Sequence, residues 1–303
     1  MKRLFVHRDK HDVDFALGHF VVFVLLQSVV WFTGVYFLLK YLLPGILNAQ
    51  LSAPWWGYIV WFTGFHVLCG MFEFFFHRYV LHSEFWRILG SMKRSHTEHH
   101  SLTHVRELKH TSDEQGKVEV RNKYPILSPE QIESSTFPGY ALLSFFLLFS
   151  ALLIPLQWAF QTQPILITGY LSVIISYSLY EIKHAIEHMD YEKCWKKHVE
   201  RSKFIRNWYG FHLMHHARIR VNQAIGGVFA LPLWDWVFGT YYVPDELPLP
   251  GTRIDPETLN PPKPRQPLIW LDGVVERCEQ RIVEKRKKNA IAKSEKQKSK
   301  VTH

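Results

Sequence analysis

Ten of the eighteen histidines in this chain fall into four short clusters: His77 with His82, His96 with His99 and His100, His184 with His188, and His212 with His215 and His216. Imidazole is neutral or nearly so at physiological pH and is the commonest metal ligand among side chains. Grouped in this way, it points to a polynuclear metal site made almost wholly of nitrogen ligands. Two of the clusters repeat the spacing H-x-x-H-H. Positions i, i+3 and i+4 share one face of a helix, so each repeat can aim three ring nitrogens at one point. His184 and His188 share a face for the same reason. His77 and His82 do not, because five residues leave two rings about 140° apart on an ideal helix, and this predicts a helix end or kink between them. Random scatter does not account for the pattern: a chance H-x-x-H-H is expected about 0.06 times in a chain of this length and histidine content, and two are present.

The elements that must position these clusters are written in the hydropathy. Four apolar stretches, residues 18–39, 55–76, 139–160 and 164–182, contain no Lys or Arg. Each has roughly the 20 residues a helix needs to cross the hydrocarbon core of a bilayer. The mean hydropathy of -0.09 averages these spans with a very polar remainder. Residues 1–16 are charged and lead into an apolar run too long for a signal-peptide core, so they read as the flank of a retained signal anchor. With four spans, the segments before the first, between the second and third, and after the fourth share one side. Of the 36 Lys and Arg residues only Lys40 lies on the other side, which predicts that the basic side, with both termini, is cytoplasmic.

A net charge of +9 could suggest a nucleic-acid partner. The positive charge is instead spread over juxtamembrane segments and gathered in the tail at 284–300, as expected of a solvated tail beside anionic lipid; no nucleic-acid partner is expected. Cys69, Cys194 and Cys278 have no pair spacing and imply neither a disulfide framework nor a thiolate metal site.

Three parts are expected: residues 1–17 as a cytoplasmic N-terminal segment, 18–242 as the membrane domain with the histidine clusters, and 243–303 as a Pro-rich connector, amphipathic helix and basic tail. A turn near Pro44 and Gly45 joins the first two spans, and the third and fourth form a helical hairpin. The polar stretch 101–138 reads as a long functional loop, a lid or substrate entrance. Helical stretches are expected around 191–217, with a shorter apolar piece at 231–242. Residues 243–267 hold eight prolines and predict an extended connector. In the helix expected at 268–283, Leu271, Val275, Cys278 and Ile282 form one stripe, which either packs on the domain or lies on the membrane surface.

Parity brings the clusters together. His77 and His184 each lie just past the end of a span that runs toward the cytoplasm, and an H-x-x-H-H cluster follows each within about 30 residues. Ten imidazoles converging there exceed what one four- to six-coordinate ion accepts, so two metal ions are implied. The predicted fold is therefore all-α: an integral membrane four-helix transmembrane bundle with a cytoplasmic helical cap carrying a histidine-rich dimetal site. Metal-bound imidazoles usually donate their other N–H to a carboxylate or carbonyl, and Glu73 and Glu181, near His77 and His184, are candidate partners. Glu98 is left open as a partner, a base or a surface residue. His66 reads as a core histidine, His104, His110 and His198 as loop or surface residues, and His7, His11, His19 and His303 have no assigned role.

At these residues the chain resembles the fatty acid hydroxylase/sterol desaturase superfamily of integral-membrane di-iron oxygenases. The matching text is His77-Arg78-Tyr79-Val80-Leu81-His82, His96-Thr97-Glu98-His99-His100, the stretch from Tyr180-Glu181 through His184 to His188, and His212-Leu213-Met214-His215-His216, followed by Leu233-Trp234-Asp235-Trp236. The third cluster, H-x-x-x-H after an aromatic-acidic pair, is most similar to that of fatty acid 2-hydroxylases. The resemblance implies two iron ions held by the ten histidines, with zinc able to occupy the site in isolated protein. It implies hydroxylation of a fatty acyl chain by dioxygen, with electrons from an external donor such as a cytochrome b-type protein or a ferredoxin. The expected location is a bacterial inner membrane or the endoplasmic reticulum. Sterol or carotenoid hydroxylation and acyl desaturation remain alternatives within the superfamily, and a zinc hydrolase or a non-catalytic metal-binding membrane protein outside it. The chemistry fits without the name, since breaking an unactivated C–H bond needs an oxidant that no side chain supplies.

Overall fold

The computed structural model describes residues 6–9, 12–83 and 90–301, and the side chains of 16–83 and 90–291. The expectations for residues 1–5 and for the side chains of His7, His11 and His303 lie outside what is described. The chain is mostly helical, with four helices long and apolar enough to cross a membrane, and it reads as a membrane protein. These are α1 (Leu17–Leu42), α3 (Trp55–Phe76), α6 (Ala141–Ala159) and α7 (Ile165–Glu187). The turn expected at Pro44 is instead a short helix, α2 (Pro44–Leu51), with the proline in its first turn, where no amide N–H is missed.

α7 is the centre of the bundle and packs against α1, α3 and α6. Inside a bilayer lipid tails are as apolar as leucine, so helices associate through close packing and interhelical hydrogen bonds. α7 supplies both. A Cβ on Gly169 would stand 2.4 Å from the side chain of Leu153 on α6, and Ser172 donates its hydroxyl to the carbonyl of Phe62 on α3 at 3.0 Å.

α3 does not stop at its predicted end. It continues into one π-helical turn, His77–Leu81. An i→i+5 turn brings residues five apart close to one face, which is the physical form of the break expected between His77 and His82. Outside the spans lie α4 (Gly90–Leu102), α5 (Pro129–Ser134), α8 (Lys196–Arg201), α9 (Lys203–Ala217), α10 (Leu233–Phe238) and α11 (Gln266–Val301).

Two small antiparallel sheets interrupt the all-α expectation. β1 (Val6–Asp9) pairs with β2 (Asp12–Phe15), and β3 (Val105–Leu108), β4 (Val118–Asn122) and β5 (Arg253–Ile254) form the second, with β4 in the middle. The stretch expected to be a long loop, 101–138, is thus ordered into β3, β4 and α5. Part of the Pro-rich connector is its third strand, with Ile254 opposite Val118. Val105, Tyr124, Leu213, Met214 and Ile254 bury one shared core, so this sheet packs on the back of α9. The stripe on α11 faces the protein, with Leu268 and Val275 buried against Phe74, Tyr79 and Ala224.

The segment between α9 and α10 has an irregular backbone. Asn222, Gly227, Phe229 and Ala230 all have positive φ, which is costly for the non-glycine residues. Asn222 is held by its amide, which donates to the carbonyls of Phe211 and Tyr242. The loop passes so close to α7 that a Cβ on Gly226 would meet the Tyr180 backbone at 2.9 Å.

Candidate metal centre

The ten clustered histidines form two groups of five. His77, His82, His96, His100 and His215 make the first, and His99, His184, His188, His212 and His216 the second, with all ligand atoms inside a group within 4.8 Å of one another. Nitrogens on opposite sides of an ion with metal–nitrogen distances near 2.0–2.1 Å stand about 4 Å apart, so each group could hold one metal ion.

The two H-x-x-H-H clusters do not each serve one point, as their shared helix face had suggested. His96 and His100 of α4 join the first group and His99 the second, whereas His212 and His216 of α9 join the second group and His215 the first. Positions i and i+4 are about 40° apart around a helix, while i+3 and i+4 are about 100° apart. Each helix therefore gives its i,i+4 pair to one group and its i+3 residue to the other. The rings of His100 and His216 stack at 4.2 Å between the two groups.

Hydrogen bonds behind the rings fix their protonation. Nδ1 of His77, His215 and His188 lies 2.6, 2.8 and 2.7 Å from the carbonyl oxygens of Gln223, Val221 and Tyr124. A carbonyl can only accept, so each Nδ1 carries the proton and each Nε2 presents a lone pair. His99 and His216 obey the same logic through hydroxyls. Ser135 donates to the carbonyl of Gln131 and accepts from His99 at 2.8 Å; Thr103 donates to the carbonyl of His99 and accepts from His216 at 3.0 Å. Nδ1 of His212 is 3.2 Å from the buried carboxylate of Glu187.

Inside each group the Nε2 atoms then stand close together, with the lone pairs of His77, His215 and His99 each turned toward a neighbouring ring nitrogen. His77 and His96 are 3.0 Å apart, His82 and His215 3.1 Å, and His99 and His184 3.2 Å. Each lone pair is met either by an N–H of its neighbour or by a cation held between the rings. Burial and then mutual repulsion hold His82, His96, His99, His100, His212, His215 and His216 well below the usual imidazole range. Burial pushes His188 down to about 3, against the pull of the Tyr124 carbonyl. Protons are poor occupants of these groups and a metal cation is a good one. Five imidazoles exceed the four ligands of ordinary zinc sites.

Glu73 and Glu181, expected behind the rings, make their hydrogen bonds elsewhere. Glu73 accepts from the amides of Gly226 and Gly227 at 2.7 and 3.0 Å, and Glu181 accepts from the amide of Phe137 at 3.2 Å. They brace the loop and wall that surround the site. The carboxylate beside a ring is Glu187. Its signal was present in the sequence, one residue before His188, while the carbonyls of Tyr124, Val221 and Gln223 left none. His66 is the core histidine expected, with Nδ1 bonded to Ser176 and Nε2 accepting from the Phe229 amide. His104 is engaged locally through the carbonyl of Ser101.

A narrow apolar cavity of about 60 Å³ between α3, α6 and α7 reaches the first group, lined by Cys69, Phe72, Phe149 and Val173 in the bundle and by His77 and Tyr180 at its histidine end. A second, smaller recess touches His96, His99 and His184. Phe137 and Tyr180 belong to both walls. No protein-family model, curated protein or solved structure matches the chain.

Proposed function

We propose that this protein is a membrane-bound di-iron oxygenase that hydroxylates a C–H bond in the apolar chain of a lipid, a fatty acyl chain, with dioxygen and electrons from a separate donor. The observation that carries this reading is an apolar cavity between the long apolar helices that ends on one of two adjacent five-imidazole groups. The resemblance of the histidine text to the fatty acid hydroxylase/sterol desaturase superfamily supports it further. Bound iron would supply the activation of dioxygen that side chains cannot. In the balanced reaction one oxygen atom enters the C–H bond, the other leaves as water, and the donor provides two electrons with two protons.

The residues of the chain do the positioning. Ser135, Thr103 and the carbonyls of Tyr124, Val221 and Gln223 hold Nδ1 protons on five rings and so keep Nε2 free to bind. Phe137 and Tyr180 stand between the cavity and the recess at the histidines, and the aromatic walls would exclude water from an apolar chain laid against them. The charge asymmetry, with only Lys40 on the opposite side, supports both termini and the histidine groups facing the cytoplasm. On this reading the centre works at the cytoplasmic face of a bacterial inner membrane or the endoplasmic reticulum.

The test follows the oxygen atom. Purified protein given ferrous iron, an electron donor such as a ferredoxin or cytochrome b-type protein, and a fatty acyl substrate is expected to yield a hydroxylated lipid labelled from heavy dioxygen and unlabelled from heavy water. Label from water alone would overturn the oxygenase reading in favour of a zinc hydrolase. An unsaturated product without label would make the protein a desaturase.

A further inference from the structure

The first histidine group is braced from behind by a helix remote in sequence. Arg78 lies between His77 and His82 in the π-helical turn and is 1 % exposed. Its guanidinium donates from Nε to Oδ1 of Asp272 on α11 at 2.9 Å and from Nη2 to Oδ2 of the same carboxylate. The Tyr79 hydroxyl donates to that Oδ1 at 2.7 Å. Arg78 uses its remaining arm, Nη1, to donate to the carbonyl of Arg220 at 2.6 Å.

That last bond reaches the segment whose next carbonyls orient the ligands. Val221 accepts from His215 and Gln223 from His77. Asp235 ties down the far side of the segment, accepting from the amides of Gln223 and Ala224 at 2.8 and 2.9 Å. Three ligands of the first group, His77, His82 and His215, therefore depend on elements joined through Arg78. The partners identified behind the second group, Tyr124, Ser135, Thr103 and Glu187, lie on other elements.

We infer that Asp272 is a positioning residue for the first metal group, through which α11 sets the geometry of His77, His82 and His215 and leaves the second group untouched. The two-oxygen, two-nitrogen pairing is geometrically specific. Without the Asp272 carboxylate, Arg78 becomes a buried cation that has lost its directly paired anion, and breaking a buried pair in this way is strongly disruptive. The displacement travels along the π-turn and the Arg220 carbonyl into the ligand shell. The inference rests on the two-metal reading.

The experiment measures iron per chain in the full-length protein loaded anaerobically with ferrous iron. The unaltered protein is expected to hold two ions and Asp272→Asn one, with affinity at the first group at least about tenfold weaker, as found when an outer partner of a metal ligand is lost. Asp272→Glu should recover part of that loss. Glu276→Gln, at the exposed edge of the same network, should change neither ion.

Background variants separate a local effect from general damage. In a His215→Ala chain, which already lacks the first ion, Asp272→Asn should remove nothing more; in a His212→Ala chain it should remove the remaining ion. An Asp272→Asn protein that keeps both ions at unchanged affinity, or loses both in equal proportion, would overturn the positioning role while leaving the two-metal reading intact. Tyr79→Phe, which keeps the Arg78 pair, covers the case in which Asp272→Asn fails to fold, and should weaken the first group alone by a smaller factor. Unchanged loading of the first group there, or equal weakening of both groups, would also count against the inference. A parent chain that binds no iron would refute the two-metal reading itself.

Discussion

The two histidine groups draw on the same helices, α4 and α9, yet they are backed differently. All five rings of the second group are buried, whereas His82 and His100 of the first are half-buried. Behind the second group stand side chains, the hydroxyls of Ser135 and Thr103 and the carboxylate of Glu187, together with the Tyr124 carbonyl. Behind the first stand carbonyls of the irregular segment after α9, itself held in place by Asp235 and Arg78. A carboxylate raises the basicity of the imidazole it faces more than a carbonyl does. On the proposed reading, the second group would hold its ion the more firmly, and the first, beside the apolar cavity, would present its ion to a substrate.

The largest effects should come from the ligands themselves. His184→Ala and His215→Ala are each expected to abolish turnover, and metal analysis should show one ion lost in each, from different groups. If either variant lost both ions or kept both, the division into two groups would be wrong. Next in size is Glu187→Gln, expected to weaken metal binding 10- to 100-fold at the second group alone, which competitive chelation would resolve as one weakened and one unchanged ion. Equal weakening of both would erase the difference in backing.

A smaller change is expected in the cavity. Cys69→Phe adds bulk to the wall between α3 and α7 and should raise KM for long acyl chains about tenfold, within the 10- to 200-fold range that one methylene can decide in an apolar pocket, with iron content unchanged. Loss of iron in that variant would mean that the cavity supports the first group and does not hold substrate. The smallest effect should come from the tail. Ending the chain at Lys285 keeps Asp272 and the buried Leu268 and Val275, so metal content, product and membrane association are all expected to stay the same; loss of an ion would extend the brace on the first group beyond Lys285.

Much of this is readable in the chain before it folds. The four spans need only length and hydropathy, and the structure places helices within a few residues of each predicted start. The ten ligand candidates stand out because chance does not produce two H-x-x-H-H clusters beside two further pairs. The π-turn is legible only as a misfit, since a five-residue spacing does not suit an ideal helix. The helix at Pro44 and the sheet within 101–138 were hidden, because short elements of mixed composition take their stability from neighbours. β4 makes sense once Ile254 and Tyr124 are buried beside it.

The sequence by itself determined the kind of candidate site: neutral nitrogen donors in a number that suits two ions, carried at the ends of long apolar helices and on polar helices that follow them. Those are properties of residue type and spacing, which periodicity converts into direction. Only the tertiary structure decided how the ten ligands divide, which groups stand behind them, and that Glu73 and Glu181 brace the loop and wall while Glu187 faces a ring. Those outcomes depend on distances of a few ångströms between residues as far apart as Arg78 and Asp272, and on backbone carbonyls, which every residue carries and no sequence pattern marks.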